Sequence, residues 1–332
     1  MKSIKQFSAV LLCAAAGLTG TLAAQGNAFA QSASDKPMVV VIPFSPGGGT
    51  DILARIVTPR LAEKLSTVGV VENKPGASGA IGAQYVARAA PDGKTLMVGS
   101  ISEIGINPSL YPKLPYDVER DFVAVSPLAA TPMMLVVNPA SPIKSVKDLL
   151  DMARAEPGKI NFGSAGVGSG AHMAAELFIY ATGIKLTHVP YKGTGAAVAD
   201  LVGAQKDMVM FTTLPSASAF IRSGQLRPIA VATKQRVASM PEVPTYAEQG
   251  VTGADMEYWY GLVAPKGTPA ATIQNIHKAA QEVIQQPAVL ESLGKQGLEP
   301  RPGTTQEFAD FIKADMAKWS KVVKSANITL DQ

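Results

Sequence analysis

Residues 38–51 have the sequence Met-Val-Val-Val-Ile-Pro-Phe-Ser-Pro-Gly-Gly-Gly-Thr-Asp, an apolar run followed by a glycine-rich loop. A continuous run of mostly β-branched residues that ends at Pro43 is typical of a strand buried on both faces. After the loop, Thr50 is a candidate N-cap, and apolar residues recur at helical spacing from Ile52 to Leu65. This strand–loop–helix unit predicts an α/β fold.

Strand-like and helix-like segments continue to alternate along the chain, which favours parallel sheet. A predicted strand at 133–137 is followed by Asn138, Pro139 and Pro142, a stiff segment that suggests a crossover between domains. A second αβ series begins there. A strand at 260–264 and three helices end the chain, and we expect these helices to pack against the first series.

Length and composition exclude several classes of protein. The chain has 332 residues, of which 47% are hydrophobic and 17% charged, a profile that suits a globular protein of about two domains. Three His and one Cys are too few for a dedicated zinc or iron–sulfur site, so we expect no metal and no cofactor. The net charge of +4 includes no basic block, which argues against a nucleic-acid partner.

The first thirty residues have the features of a secretory signal peptide. Lys2 and Lys5 precede an uncharged apolar stretch, and Ala28-Phe29-Ala30 forms a small-x-small cleavage site. A membrane anchor is the alternative, but Ala, Gly and Thr dilute the stretch. Cleavage after Ala30 also removes Cys13. The mature chain then has a net charge of 28 − 26 = +2, no cysteine, and no apolar run long enough to span a membrane.

Three glycine loops each follow a predicted strand and precede a predicted helix. They are residues 43–51 (the first glycine loop), 163–170 (the second) and 191–195 (the third). Glycine lets a ligand approach the backbone, and a helix start offers unpaired N–H groups, so an oxyanion is the expected ligand. Tight turns without a ligand remain the alternative. No dinucleotide fingerprint, phosphate-binding P-loop or nucleophile elbow is present.

The titratable residues near these loops do not form a catalytic constellation. Asp51 could equally be a helix-start charge or a ligand contact. His172 and His188 lack the spacing of a metal or acid–base pair, and we interpret both as structural. Lys192 is the single cation of the three loops, and we expect it to be exposed. The sequence therefore predicts no catalytic residue.

Segments along nearly the whole chain resemble the periplasmic solute-binding component of tripartite tricarboxylate transporters, the Bug (TctC-like) family. The resemblance implies an α/β, two-lobed periplasmic binding protein (Venus flytrap, type II-like) with an interdomain ligand cleft. It divides the chain into a signal peptide (1–30), a discontinuous lobe 1 (31–138 plus 257–332) and lobe 2 (139–256). The matching segments are 43–55, 71–76, 91–96, 107–111, 162–169, 188–193, 226–231, 241–245 and 259–265.

The resemblance also implies the ligand contacts, mostly from backbone N–H groups and hydroxyls. Where many relatives have a small segment before Asn107, this chain has Ser100-Ile-Ser-Glu-Ile-Gly105, so Ser102 and Glu103 could tune the ligand. The candidate ligand-binding residues are Phe44, Pro46, Gly47, Gly48, Asp51, Ser100, Ser102, Ser164, Ala165, Gly166, Ser169, Thr194 and Gly195.

The function that follows is the capture of a small carboxylate, either a di- or tricarboxylate or an aromatic carboxylate. The protein is expected to be a periplasmic monomer that delivers this ligand to the membrane subunits of a tripartite tricarboxylate transporter. Two alternatives stay open at this point. One is an exported hydrolase, which would need a nucleophile and a base. The other is a ligand-binding protein that reports to a membrane receptor.

Overall fold

A computed structural model describes residues 36–203, 207–325 and 328. The predicted signal peptide and its cleavage site after Ala30 lie outside these residues. The strands of the described part are β1 (Met38–Ile42), β2 (Gly69–Asn73), β3 (Thr95–Ser100), β4 (Phe122–Val137), β5 (Asn161–Ser164), β6 (Thr187–Pro190), β7 (Met208–Thr213), β8 (Arg227–Val231), β9 (Glu257–Pro265) and β10 (Glu299–Pro300).

The helices flank these strands and alternate with them in the first two thirds of the chain. They are α1 (Gly49–Lys64), α2 (Ala80–Ala87), α3 (Asn107–Leu110), α4 (Val118–Asp121), α5 (Val146–Ala155), α6 (Gly170–Thr182), α7 (Thr194–Val202), α8 (Leu214–Arg222), α9 (Ala270–Ile284), α10 (Pro287–Lys295) and α11 (Thr305–Ser325). A π-helical turn covers Ile101–Ile106, and 3₁₀ turns cover Ala77–Gly79 and Ala247–Gln249.

The strands form one mixed sheet in the order β2-β1-β3-β9-β4-β7-β5-β6. At one end β1 pairs in parallel with β2 and β3, and at the other end β5 pairs in parallel with β6 and β7. The central strands β4 and β9 run antiparallel to their neighbours. Two parallel αβ series are therefore joined through a pair of antiparallel strands, and β8 and β10 both pair with β4.

Strand β4 joins the two halves and is much longer than the predicted strand at 133–137. Its first part, from Phe122 to Pro132, pairs with β9, and its last part pairs with β7. Pro127 and Pro132 lie inside it, and the register shifts beside Ser126 and Pro127. Prolines in a sequence usually indicate a loop, but bulges accommodate them in a strand. For this reason the sequence did not predict the part of β4 before residue 133.

The first strand–loop–helix unit forms as predicted, with one correction at the helix start. Val40, Val41 and Ile42 are fully buried, and each such side chain stabilises the fold by roughly 1.5–3 kcal/mol relative to an exposed one. The prediction that Thr50 caps α1 is wrong. The helix begins at Gly49, whose N–H donates instead to Ser216 Oγ at 3.0 Å. A hydroxyl from the other half of the sheet thus replaces a local cap.

The C-terminal helices return to the first half of the sheet, which confirms the expected packing. Helix α9 packs on α1 and β4, and α11 packs on β4 and the π-helical turn. Trp319 of α11 is fully buried. In the described part of the chain, every helix is too short or too polar to cross a bilayer.

Candidate functional site

The first and third glycine loops contact each other directly across the two halves of the sheet. Ser45 Oγ donates to the carbonyl oxygen of Lys192 at 3.1 Å. A Cβ on Gly195 would collide with the carbonyl oxygen of Pro46, so only glycine permits this approach. Gly47 lies against Gly195 on the same contact. The Lys192 side chain is exposed, as predicted.

The second glycine loop is also held by residues from the first half of the sheet. Ser78 Oγ and the Tyr111 hydroxyl both donate to the carbonyl oxygen of Val167, the latter at 2.6 Å. Gly166 has a φ of 120°, and a Cβ there would lie 3.0 Å from Ser78 Oγ. The backbone of this loop therefore needs glycine both for its conformation and for the close approach of Ser78.

A small cavity lies where the loops converge. Its volume is about 20 Å³, which is room for roughly one water molecule. It is lined by residues from both halves of the sheet: Phe44, Gly48, Gly49, Thr50, Met133, Ala165, Ser169, Gly170, Ala171, Thr194, Thr212, Thr213, Tyr258 and Tyr260.

Four helices begin at this cavity. Gly49 opens α1, Gly170 opens α6, Thr194 opens α7, and Thr213 is the N-cap residue of α8. A helix N-terminus carries roughly half a positive charge because its first N–H groups have no partner within the helix. None of the lining residues has a charged side chain. The electrostatic field in the cavity therefore comes from the backbone and favours an anion.

Buried hydroxyl groups complete the cavity wall. Tyr258 and Tyr260 come from β9, and Thr212 and Thr213 from the end of β7. Among the described residues, the Thr212 hydroxyl is buried without a hydrogen-bond partner, and the Tyr260 hydroxyl is buried beside Thr213. An unsatisfied buried polar group costs roughly 1–3 kcal/mol, which a polar ligand would offset. Burial raises the pKa of Tyr260 well above its usual value, and Tyr258 raises it further, so its hydroxyl stays a proton donor.

Asp51 lies behind the first glycine loop and outside the cavity lining. Its carboxylate accepts hydrogen bonds from Gly47 N at 3.0 Å, Arg55 Nε at 3.1 Å and Asn73 Nδ2 at 2.9 Å. Burial alone would raise the pKa of Asp51, but these hydrogen bonds and the Arg55 charge lower it below its usual value. Of the two roles predicted for Asp51, ligand contact or helix-start charge, these contacts favour the second: the carboxylate stabilises the first glycine loop at the start of α1.

Ser164 is fully buried, and its hydroxyl bonds to His188 Nε2 at 2.6 Å rather than lining the cavity. His188 stacks on His172 with 4.2 Å between ring centroids, and His172 Nδ1 accepts from Gly168 N at 3.1 Å. We call Ser164, His172 and His188 the imidazole network. This network accepts hydrogen bonds from the backbone of the second glycine loop, which agrees with a structural role for both histidines.

Glu103 is fully buried on the π-helical turn, also outside the cavity lining. Its Oε2 lies 2.7 Å from Ser100 Oγ, and Ser100 Oγ lies 2.9 Å from the Tyr258 hydroxyl. Ser102 Oγ lies 2.8 Å from the same hydroxyl and accepts from Gly170 N at 2.9 Å. Ser100 and Ser102 therefore do not line the cavity themselves, but both are hydrogen-bonded to Tyr258, which does.

The predicted site residues fall into three groups. Phe44, Gly48, Ala165, Ser169 and Thr194 line the cavity. Pro46, Gly47 and Gly195 form the contact between the first and third loops. The others support the site from outside the lining: Asp51, Ser100, Ser102 and Ser164 through their side chains, and Gly166 through its backbone N–H, which donates to Ser164 Oγ.

The main residues that sequence reasoning missed are Thr212, Thr213, Tyr258 and Tyr260. The sequence around the two threonines does indicate a helix start. They form a polar pair at the end of an apolar strand, and Pro215 follows in the first turn of the next helix. The tyrosines had none, because aromatic residues in a strand are equally typical of a core. Trp259, between them, points away from the cavity, and its Nε1 donates to Asp315 at 2.9 Å.

Comparison with known proteins identifies the family to which this chain belongs. Residues 53–328 match the family model of the tripartite tricarboxylate transporter family receptor. A solved structure described as a periplasmic transporter is 43% identical, with a TM-score of 0.86, and the alignment covers 90% of this chain and 100% of that one. The family model begins just after the first glycine loop.

Two further solved structures contain a bound acid. R. palustris Rpa4515 with adipate is 33% identical, has a TM-score of 0.85, and is aligned over 90% of this chain and 99% of its own. MatC (Rpa3494) from Rhodopseudomonas palustris with bound malate is 32% identical, has a TM-score of 0.82, and is aligned over 86% and 98%. The resemblance seen in the sequence is confirmed. The chain belongs to the receptor family of tripartite tricarboxylate transporters and has the two-lobed α/β fold of periplasmic binding proteins.

Proposed function

We propose that this protein captures a small aliphatic dicarboxylate in the cavity between its two lobes. It acts in the periplasm as a monomer and passes the acid, unchanged, to the membrane subunits of a tripartite tricarboxylate transporter. The observation that carries this proposal is the convergence of four helix N-termini on an uncharged cavity whose wall includes the unpaired hydroxyl of Thr212. Malate and adipate, bound in two similar proteins, belong to the same ligand class.

The uncharged lining explains how an anion can be held without a Lys or Arg. Backbone N–H groups and hydroxyls form charge-assisted hydrogen bonds to a carboxylate, which are stronger than bonds between neutral groups. A helix N-terminus adds a favourable field within its first turn. The predicted contacts Phe44, Gly48, Ala165, Ser169 and Thr194 are the ones that this proposal retains at the ligand.

Ligand entry requires the lobes to separate, because the closed cavity has room for about one water molecule. The proposed division keeps lobe 1 as 31–138 plus 257–332 and lobe 2 as 139–256. Hydrogen bonds between the connecting segments support a hinge there: Met133 O accepts from Ala232 N at 2.8 Å, and Met133 N donates to Met256 O at 3.4 Å. Motion about such connections is the usual closure mechanism of two-lobed binding proteins.

Calorimetric titration tests the proposed ligand class. We expect the ligand-free protein to bind adipate or malate, and to bind the uncharged diamide of adipate at least about a hundredfold more weakly, because it lacks the anionic charge. Binding of the diamide as tightly as the acid would show that the helix N-termini do not select an anion. Recovery of the acid unchanged after long incubation with the protein checks that no reaction occurs.

A glycine variant tests whether closure of the loops creates the binding site. Gly195→Ala places a Cβ against the Pro46 carbonyl oxygen and should weaken adipate binding about tenfold or more, because the first and third loops can no longer meet. Gly294→Ala, in α10 with no atom within 4 Å of the new Cβ, is the matched control and should bind as the wild type does. Equal affinity in both variants would refute closure at this contact.

Export and assembly have separate tests. N-terminal sequencing of the protein recovered from the periplasm should begin at Gln31, in agreement with cleavage after Ala30. Light scattering of the purified protein should give the mass of a monomer. Co-purification with the membrane subunits of the transporter, only in the presence of the acid, would support delivery.

A further inference from the structure

A chain of hydrogen-bonded side chains leads from Glu103 to the cavity. Glu103 Oε2 lies 2.7 Å from Ser100 Oγ, Ser100 Oγ lies 2.9 Å from Tyr258 Oη, and Tyr258 Oη lies 2.8 Å from Ser102 Oγ. We call these four residues the Glu103 chain. Glu103, Ser100 and Ser102 are fully buried, whereas Tyr258 lines the cavity. The chain therefore connects a buried acid to the ligand position.

The surroundings of Glu103 provide no positive charge. Among residues 36–203, 207–325 and 328, no Lys, Arg or His forms an ion pair with it. Burial is the main reason that the pKa of Glu103 rises to about 8, and hydrogen bonds from Ser100 offset this only in part. Titratable groups around the turn include Tyr116, Tyr258 and Tyr260, Asp315 and the exposed Lys318 of α11, and His172 and Glu176 of α6.

The geometry defines where the proton of a neutral Glu103 must lie. Oε1 accepts the backbone N–H of Ser100, so the proton is on Oε2 and is donated to Ser100 Oγ. The Ser100 hydroxyl then donates to Tyr258, and the Tyr258 proton remains for Ser102 or for a ligand. When Glu103 is ionised, the directions of the hydroxyl hydrogen bonds reverse. Ser100 donates to the carboxylate, and Tyr258 donates to Ser100, away from the ligand.

We propose that Glu103 is a positioning residue: its neutral side chain orders the hydroxyl chain so that Tyr258 donates a hydrogen bond to the bound carboxylate. Ionisation of Glu103 turns that donor away from the ligand. This inference rests on the proposed function. It predicts that carboxylate binding weakens in alkaline solution, although the carboxyl groups of the ligand are already ionised at neutral pH.

The experiment compares the dissociation constant of adipate at about pH 6.5 and at about pH 9.5, on either side of the Glu103 pKa. The wild-type constant should rise about tenfold or more, the value of one charge-assisted hydrogen bond. In Glu103→Gln the ratio should be near one, because the amide always donates to Ser100 Oγ while its carbonyl accepts from Ser100 N. Glu242→Gln, an exposed glutamate, is the matched control and should keep the wild-type ratio.

A second variant tests the route through the tyrosine. Tyr258→Phe keeps Glu103 and Ser100 but removes the hydroxyl that carries the effect, so its ratio should also fall toward one. A wild-type ratio in Tyr258→Phe would overturn the hydroxyl chain as the route. A wild-type ratio in Glu103→Gln, or a wild-type ratio of one, would overturn the role of Glu103.

These outcomes are distinct from failure of the proposed function. Absence of adipate and malate binding at both pH values overturns that function and this inference with it, whereas binding that is independent of pH overturns the inference alone. An infrared difference spectrum of the ligand-free protein gives a direct check. A protonated-carboxyl band should be present at about pH 6.5, lost at about pH 9.5 and absent from Glu103→Gln. If the wild type lacks this band, Glu103 is ionised and the inference fails.

Discussion

The Glu103 chain and the imidazole network lie behind the cavity, one in each half of the sheet, and they hold opposite kinds of ionisable group. Burial raises the pKa of Glu103 to about 8, whereas burial, helped by the nearby His172, lowers the pKa of His188 to about 3. The same physical cause acts in opposite directions because burial disfavours whichever form is charged. Both groups are therefore mostly neutral at pH 7, and the backbone dominates the field felt by an anion.

The two regions differ in how easily solution pH can change them. The pKa of Glu103 lies close to neutrality, so mildly alkaline solution ionises it, whereas His188 requires strong acid. Each ionisation also destabilises the fold, since the charged form is better solvated in the unfolded chain. The two groups therefore give the stability opposite slopes with pH: the Glu103 contribution falls between about pH 4.5 and 8, and the His188 contribution rises between about pH 3 and 6.5.

The largest expected effect is the loss of stability through Glu103 as the pH rises. Its pKa is raised in the fold from 4.5 to about 8, so its stabilising contribution is complete below about pH 4.5 and is lost as pH rises through about 8. The total change is about 5 kcal/mol. Urea denaturation across this range should show the decline in the wild type and not in Glu103→Gln. Parallel curves for the two proteins would mean that Glu103 does not titrate in the fold.

A smaller effect of opposite sign is expected for His188. Its pKa is lowered in the fold from 6.5 to about 3, so its contribution is present above about pH 6.5 and is lost as pH falls toward 3. Because the imidazole is only partly buried, we expect a change of about 2 kcal/mol. The difference in unfolding free energy between the wild type and His188→Gln should therefore shrink on acidification. A constant difference would contradict a neutral His188 in the fold.

Ser164→Ala should affect stability more than binding. It leaves His188 Nε2 without its partner and should cost about 1–2 kcal/mol of unfolding free energy. Adipate affinity should change by less than about threefold, because the hydroxyl lies outside the cavity lining. Denaturation and calorimetry on the same preparation separate the two effects. A large loss of affinity with unchanged stability would instead place Ser164 at the ligand.

Salt should have the smallest effect, because neither region supplies a fixed charge to the cavity. The lining residues are uncharged and the mature chain has a net charge of only +2. Calorimetry at low and at physiological ionic strength should therefore give adipate affinities within about threefold of each other. A decrease beyond about tenfold would indicate contacts to exposed cations such as Lys192.

Local signals in the sequence were sufficient for the fold class and for part of the site. The apolar run at 38–42 and the helical spacing after it predicted β1 and α1, because both depend on neighbours within a few residues. The glycine loops also predicted helix starts that offer unpaired N–H groups to an anion. All five retained contacts, Phe44, Gly48, Ala165, Ser169 and Thr194, belong to those loops.

The rest of the site depends on residues that are far apart in the chain. Tyr258 reaches Ser100 across 158 positions, and Gly49 receives its cap from Ser216 across 167. Pro127 and Pro132 obscured β4, since bulges that accept proline become visible only once β9 is paired beside it. No local pattern encodes such contacts.

The alternation of strands and helices, the three glycine loops and the small number of metal-ligand side chains follow from residue type and short-range spacing alone. The tertiary structure alone shows that four helix starts share one cavity, that the Ser164 hydroxyl bonds to His188 rather than lining that cavity, and that no cation in the described part of the chain forms an ion pair with Glu103. Burial and the direction of a hydrogen bond are properties of packed neighbours. They arise when β4 and β9 bring the two halves of the sheet together.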